Sequence, residues 1–309
     1  VGFVVDFLTQ IFAPGAWWPV ALYVLLVGFL GGKHLQKRYF RGDWKSPNTD
    51  AKGWMLLFFW GFLTHVLLDC FTTYGTQVFA PFSDQRVAWG TVSVVDPLYT
   101  FPFLVCLLLA ARCAREDVRR RFWNGLGLGW SVLYLAFTVV NCHNVHDTIE
   151  DALKTQEMPI KHFLTTPTIF NNLLWNVVVD SGDEFLLAQY SIFDEVPIAF
   201  HAVPKGYNLL HNLQTDETLG VIDWFSSGYF NAIRRDDGSL QLNDLRFGTF
   251  SGKAENADDY IFRFKLIDRG PVLPYGFQRA QGGPPDEKAE DLMLELFDRA
   301  AGFAAEELP

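Results

Sequence analysis

The first half of the chain alternates long apolar runs with short polar connections. Four of these runs are expected to form membrane-spanning helices, and they lie at residues 17–32, 53–71, 98–111 and 122–141. Clusters of lysine and arginine follow the first and the third run. Because basic loops favour the cytoplasmic side of a membrane, both clusters are assigned to the cytoplasm. The pattern therefore predicts a multi-pass membrane protein.

The second half changes to short runs with β-type alternation. Two hairpins are expected, one from 173–179 and 184–192 around the turn Asp-Ser-Gly-Asp, the other from 229–233 and 240–245 around Asp-Asp-Gly. A further strand at 260–267, a helical stretch at 203–220 and a terminal amphipathic helix at 284–307 complete the pattern. We therefore predict an α+β fold class: a polytopic transmembrane helical bundle followed by a β-rich extramembrane domain.

The charge distribution supports a boundary between two domains. Residues 1–142 hold 12 of the 25 Lys and Arg but 8 of the 35 Asp and Glu, a net charge of +4, whereas the remainder carries −14. We expect a transmembrane domain at 1–147, with at least four spans, and an acidic extramembrane domain at 148–309. Such an acidic domain argues against nucleic acid as a partner. It would face outward, into the periplasm of a Gram-negative cell.

Neither the cysteines nor the chain start identifies a function. The four cysteines lie in or beside apolar runs and show no C-x-x-C spacing, which favours buried apolar side chains. The chain begins with Val1, and its first residues resemble the interior of a membrane protein. We therefore expect further residues to precede it.

The most informative polar residues lie inside the second apolar run. His65 and Asp69 are one helical turn apart, so a helix places both on one face. Ionisable groups within a spanning helix are costly unless a partner, a cavity or a metal ion compensates them. Two interpretations remain open: the pair binds a divalent metal ion, or its members form hydrogen bonds that stabilise the bundle.

The connection after this run adds candidate substrate contacts. It begins with a hydroxyl-rich turn, from which we select Thr72, Thr73, Tyr74, Gly75 and Gln77 as candidate substrate-binding residues. Gly75 can adopt a positive φ and let the backbone approach a ligand. Arg86 and Asp96 return towards the same end of the helix. Arg86 is a candidate clamp for an anionic substrate, and Asp96 a candidate base or further ligand.

Other familiar sites lack their sequence signatures. The chain contains no G-x-S-x-G, Walker-type or H-E-x-x-H motif, which argues against a serine esterase, an NTPase and a zincin. His143-x-x-His146-Asp147 has metal-like spacing, but we interpret it as part of a solvated loop. Two alternatives to an enzyme remain: a non-enzymatic membrane protein with a partner-binding periplasmic domain, and an ion- or proton-coupled transporter that uses Asp69 and His65 as a relay.

Several stretches resemble one protein family. THVLLDCFTTYGTQVFAPFSD (64–84), Arg86 and VVDPLYT (94–100) are similar to the membrane-bound metal-dependent hydrolases, also described as YdjM-like, LexA-regulated inner-membrane hydrolases. TPTIFNNLLW (166–175) and LNDLRFG (242–248) resemble the soluble extension of one branch of that family. The resemblance thus covers most of the chain.

The resemblance implies a helical core in the bacterial inner (cytoplasmic) membrane and metal-dependent hydrolysis. His65 and Asp69 match the metal-ligand motif of the family, so the implied cofactor is a divalent metal ion, with zinc as the leading candidate. A similar H-x-x-x-D element in zinc-dependent phospholipase C suggests a phosphoester or lipid-linked substrate. The opening P-D-x-D and H-R-G-x-T-H elements of the family do not occur here. The residues from Val1 onward therefore carry at most half of the implied ligand set: either the other ligands lie upstream of Val1, or this protein does not assemble a full site.

Overall fold

The computed structural model describes residues 49–157, 161–195, 197–213, 217–250, 252–267, 276–279 and 286–303. The run at 17–32 and the first basic cluster up to residue 48 lie outside these ranges. The chain divides into two units, Val1–His65 with Gly283–Met293 and Val66–Gly282 with Leu294–Pro309. In the first unit, the structure describes only residues 49–65 and 286–293.

The described residues form five α-helices: α1 (Ala51–Phe71), α2 (Pro97–Arg112), α3 (Val118–Thr155), α4 (Glu217–Ser226) and α5 (Asp286–Ala300). By length and composition, α1 and α3 can each cross a membrane. Helix α2 has 16 residues and is therefore about 24 Å long, less than the roughly 30 Å of a hydrocarbon core. Helices are thus found at the runs 53–71, 98–111 and 122–141, but α2 is short for a complete crossing.

Helix α3 extends well beyond the end of the expected span. The prediction that the helix ends at Asn141 is wrong, because the helix continues to Thr155 and is about 57 Å long. Its buried positions recur every three or four residues, at Tyr134, Thr138, Asn141, Val145, Ile149 and Leu153. Beyond Asn141 most residues between these positions are polar, so the segment is an amphipathic helix rather than an apolar run. The expected domain boundary at 147/148 falls inside α3.

Helices α2 and α3 pack closely at one glycine. A Cβ atom on Gly127 would lie 3.0 Å from Cys106 Cβ, whereas Gly125 and Gly129 have open space beside them. Nearer the start of α2, Tyr99 Oη and Ser131 Oγ are 2.7 Å apart and share a hydrogen bond. Of the three glycines expected to permit close helix contact, Gly127 is the one that does so.

An antiparallel sheet of four strands follows α3. Its strands are β1 (His162–Pro167), β2 (Leu174–Asp180), β3 (Glu184–Ser191) and β4 (His201–Pro204), hydrogen-bonded in that order. The expected first hairpin is confirmed, with Leu174 opposite Ser191 and Asp180 opposite Phe185. Trp175, Val177 and Val179 of β2 pack against Val145, Ile149 and Leu153 of α3 in one core. Helix α3 therefore contributes to the core of the β-rich part.

A second antiparallel sheet contains β5 (Phe230–Arg234), β6 (Leu240–Asp244), β7 (Arg263–Ile267) and β8 (Gly276–Arg279), in that order. The expected hairpin of β5 and β6 is confirmed. The strand expected at 260–267 begins only at Arg263, because Tyr260 forms an isolated bridge with Thr249. The stretch 203–220 is not one helix: it contains the end of β4, a 3-10 helix at Tyr207–Leu213 and the start of α4.

Candidate functional site

His65 and Asp69 occupy the last two turns of α1. The His65 side chain is exposed and that of Asp69 is partly buried. Their i, i+4 spacing in a continuous helix places them on one face, as the sequence predicts. Immediately after the helix, Thr72 donates hydrogen bonds from N and Oγ1 to the Asp69 carbonyl, at 3.1 and 2.8 Å. The hydroxyl-rich turn thus begins by closing the end of α1.

Gly75 allows two parts of the same connection to meet. It has a φ of +68°, and a Cβ atom there would lie 2.4 Å from the Val87 carbonyl oxygen. The neighbouring Thr76 pairs with Val87 through two backbone hydrogen bonds of 3.0 and 2.9 Å. The expected positive φ is therefore present, but the backbone that approaches Gly75 is that of Val87.

The other residues of the turn differ in their accessibility. Thr73 is buried, and its carbonyl accepts a hydrogen bond from Arg246 Nη1 at 3.3 Å. Tyr74 is half exposed and meets the Phe225 ring edge-on. Gln77 donates from Nε2 to the Asp84 carbonyl at 3.4 Å and remains exposed. Of these three side chains, only those of Tyr74 and Gln77 are accessible to a substrate.

Arg86 is bound to α4. Its Nη2 donates to the Phe225 carbonyl, and its guanidinium carbon lies 5.2 and 5.0 Å from the ring centroids of Trp224 and Phe225. Burial lowers the pKa of Arg86 below its ordinary value, and the nearby Arg246 charge acts in the same direction. Arg86 therefore attaches the connection to α4, and its role as an anion clamp stays a prediction.

We expect Arg86→Met to loosen this attachment. The change removes a charge-assisted hydrogen bond and two cation–π contacts, so the free energy of unfolding should fall by about 2 kcal/mol. Thermal unfolding of the detergent-solubilised protein, followed by tryptophan fluorescence, measures the loss. Arg115→Met, at an exposed position between α2 and α3, serves as the matched control. Equal melting temperatures for the two variants would contradict a structural role for Arg86.

A buried ion pair that the sequence analysis missed lies beside Arg86. Arg246 Nε and Nη2 donate to the two carboxylate oxygens of Asp244, at 2.9 and 2.6 Å. Burial raises the pKa of Asp244, although the Arg246 guanidinium opposes that effect. The Phe225 ring contacts both guanidinium groups, with Arg246 Cζ 5.1 Å from its centroid. The only signal of this pair in the sequence was its place in LNDLRFG.

Asp96 caps α2. Its Oδ1 accepts hydrogen bonds from the backbone N–H groups of Leu98 and Tyr99, at 2.9 and 3.2 Å, and its Oδ2 accepts one from Tyr134 Oη at 2.7 Å. The side chain is buried, and Pro97 in the first turn completes a typical helix start. These contacts join α2 to α3, and the catalytic role expected for Asp96 stays a prediction.

An apolar cavity of about 460 Å³ opens beside α3. It is lined by Phe71, Trp89, Thr91, Val139, Cys142, His143 and His146. The expectation that His143 and His146 belong to a solvated loop is wrong, since both lie within α3. His143 Nε2 is 3.5 Å from Asp147 Oδ2, and His146 stacks on Phe163 with ring centroids 4.4 Å apart. Among the described residues, no three His, Cys, Asp or Glu side chains are grouped to hold a metal ion.

Comparison with known proteins finds a similarity to a family of membrane proteins. Residues 8–145 match the model of the YdjM inner membrane protein family. The chain is also 23% identical over 200 residues to the uncharacterised protein YfhP of Bacillus subtilis (strain 168), an alignment that covers 63% of this chain. The chain spans 57% of the length of that relative. No solved structure matches the fold.

Proposed function

We propose that the protein is a membrane-bound metal-dependent hydrolase, and we start from the match of residues 8–145 to the YdjM inner membrane protein family. The observation that carries the proposal is the placement of His65 and Asp69 one turn apart near the end of α1. An otherwise apolar spanning helix tolerates two such groups when a cation compensates them.

The two side chains fit part of a metal site. An imidazole nitrogen and a carboxylate oxygen are donors that zinc and related divalent ions accept, and two further ligands would complete a four-coordinate set. A divalent ion held there would activate water for hydrolysis by lowering its pKa. The hydrogen bonds from Thr72 to the Asp69 carbonyl fix the backbone beside the carboxylate. This arrangement limits the movement of Asp69 relative to the turn.

The substrate proposal rests on the exposed part of the turn and on the cavity. Tyr74 and Gln77 present a hydroxyl and an amide that can bind the oxygens of a phosphoester. The cavity begins at Phe71 and has a mostly apolar lining, which suits the apolar part of a lipid-linked substrate. Because Arg86 and Asp96 already bind other groups, we propose that they position the turn and α2 rather than react.

Metal content provides the direct test. In full-length protein purified without chelator, we expect one divalent ion per chain, and about 100-fold weaker binding in His65→Ala and in Asp69→Ala. Thr64→Ala is the matched control, because Thr64 is exposed on the same helix and bonds only to carbonyls of α1. Elemental analysis after dialysis measures the effect. Metal content that is the same in all four proteins would reject the site.

One observation favours a second candidate function. Arg86 binds α4, and Asp96 caps α2 and binds α3, so both side chains hold parts of the fold together. Such structural roles are expected in a non-enzymatic membrane protein whose β-rich domain binds a partner. If the wild-type protein binds no metal and hydrolyses no phosphoester when zinc or manganese is added, this second candidate replaces the first. Pull-down with the intact protein in detergent would then identify the partner.

A further inference from the structure

The connection between α1 and α2 carries an exposed apolar tip. We define the tip loop as residues 77–85, with the sequence QVFAPFSDQ. Val78, Phe79 and Phe82 are 42%, 53% and 94% exposed. A phenylalanine that is almost completely exposed, as Phe82 is, gains nothing from folding. Together with the two half-exposed apolar side chains on the same loop, it indicates a contact with an apolar partner. The tip loop is separate from the proposed substrate contacts except at Gln77.

The base of the tip loop is held by several contacts. Thr76 and Val87 pair across its two ends, and Gln77 Nε2 and Trp224 Nε1 both donate to the Asp84 carbonyl. Arg86 binds the Phe225 carbonyl immediately after the loop. These contacts fix the conformation of the base while Phe82 remains uncovered, so the exposed side chains are presented in a defined direction.

The same contacts keep the tip loop close to the end of α1. The Phe225 ring, which meets Arg86, also meets Arg246, and Arg246 donates to the carbonyl of Thr73. Thr73 is the second residue after Phe71, where α1 ends. The loop base is thus tied to the first residues that follow α1.

Neighbouring residues extend the apolar surface. Trp89 is 52% exposed, and its ring meets that of Phe71 edge-on at a centroid distance of 4.8 Å. Val94 and Val95 are exposed just before α2 begins. Tryptophan at the end of a spanning helix is typical of the membrane interface. The exposed apolar residues of the connection therefore extend from the tip loop to the start of α2.

We propose that the tip loop inserts Val78, Phe79 and Phe82 into the interface of the bilayer that α1 crosses. The partner is the phospholipid surface itself. The loop contains no lysine or arginine, and Asp84 is its only charged residue. Its contact with the membrane is therefore apolar, and we expect it to depend little on the fraction of anionic lipid or on salt.

Photocrosslinking of the full-length protein tests the insertion. A benzophenone amino acid replaces Phe82, and the protein is reconstituted into nanodiscs of phosphatidylcholine. The same amino acid in place of Asp236, exposed in the turn between β5 and β6, is the matched control. After illumination, mass spectrometry should find lipid adducts several-fold more abundant at position 82 than at position 236. The ratio should stay the same when a third of the lipid is phosphatidylglycerol.

Other results would overturn the proposal. Equal lipid adducts at the two positions, or none at position 82, would place the loop in water. Adducts between position 82 and another protein, or another part of this chain, in native membranes would identify a protein contact instead. The second measurement uses a protein that keeps Trp89 and Trp224, which flank the loop, and has phenylalanine in place of the other eight tryptophans. In this protein, Phe79→Ser combined with Phe82→Ser should reduce the quenching of tryptophan fluorescence by brominated lipids. Unchanged quenching would also reject insertion.

Discussion

Arg246→Met is expected to destabilise the protein by about 3–5 kcal/mol, because it leaves the Asp244 carboxylate buried without its cation. The two side chains of this ion pair are 4% and 0% exposed, and their closest atoms are 2.6 Å apart. The same substitution removes the hydrogen bond to the Thr73 carbonyl, so the connection after α1 should also loosen. Chemical unfolding in mild detergent, followed by near-ultraviolet circular dichroism, measures the loss.

The chain contains a matched control for this experiment. Asp117 and Arg119 form an ion pair with the same Asp-x-Arg spacing. Asp117 caps α3, as Asp244 caps the short 3-10 helix Leu245–Phe247, but the Arg119 side chain is 79% exposed. Arg119→Met should therefore leave stability almost unchanged. Asp244→Asn combined with Arg246→Met should cost less than Arg246→Met alone, since no unpaired carboxylate remains. Similar losses in Arg246→Met and Arg119→Met would contradict the energetic importance of the buried pair.

Ile149→Ala is expected to cost about 2–5 kcal/mol, the usual effect of truncating a fully buried aliphatic side chain. Ile149 lies in α3 beyond the predicted end of the span and packs in the core that contains Trp175 and Val177. The substitution leaves a cavity between α3 and the first sheet. Thermal unfolding monitored by tryptophan fluorescence should show a clear decrease in melting temperature.

The adjacent Thr148 provides the control for Ile149. Its side chain is exposed, and its hydroxyl donates only to the Asn144 carbonyl of the same helix. Thr148→Ala should change the melting temperature little. Were the two substitutions to have the same effect, α3 would not contribute to the core of the β-rich part as described.

Local patterns predicted the regular elements well. The two hairpins were found because alternating apolar residues flank the turns Asp-Ser-Gly-Asp and Asp-Asp-Gly, whose residues favour tight turns. Helix α1 was found because its apolar run is long and contains few polar residues. The end of α3 was missed because a search for apolar runs stops where a helix becomes amphipathic. The apolar residues at 145, 149 and 153, spaced by four, were the available signal.

The contacts of the candidate site could not be predicted in the same way. Arg86 binds Phe225, 139 residues later in the chain, and Arg246 binds Thr73, 173 residues earlier. Charge and spacing show that such side chains need partners, but they do not show which partners tertiary packing supplies. His65 and Asp69 lie within one element, so helical periodicity alone predicted their shared face.

The continuity of α3 sets a practical limit on how the protein can be divided. Cutting the chain where the apolar run ends, at Asn141, keeps Val145, Ile149 and Leu153 but leaves them on a short terminal helix whose preceding turns have been removed. Cutting at the expected domain boundary of 147/148 also removes Val145 from the fragment and with it one of the three buried side chains. A water-soluble fragment that keeps the first sheet intact should therefore begin upstream of Asn141. The exposed apolar residues of α3 before Asn141 would then be replaced by polar ones. Both helix and sheet would then be recovered in one piece for crystallisation or NMR.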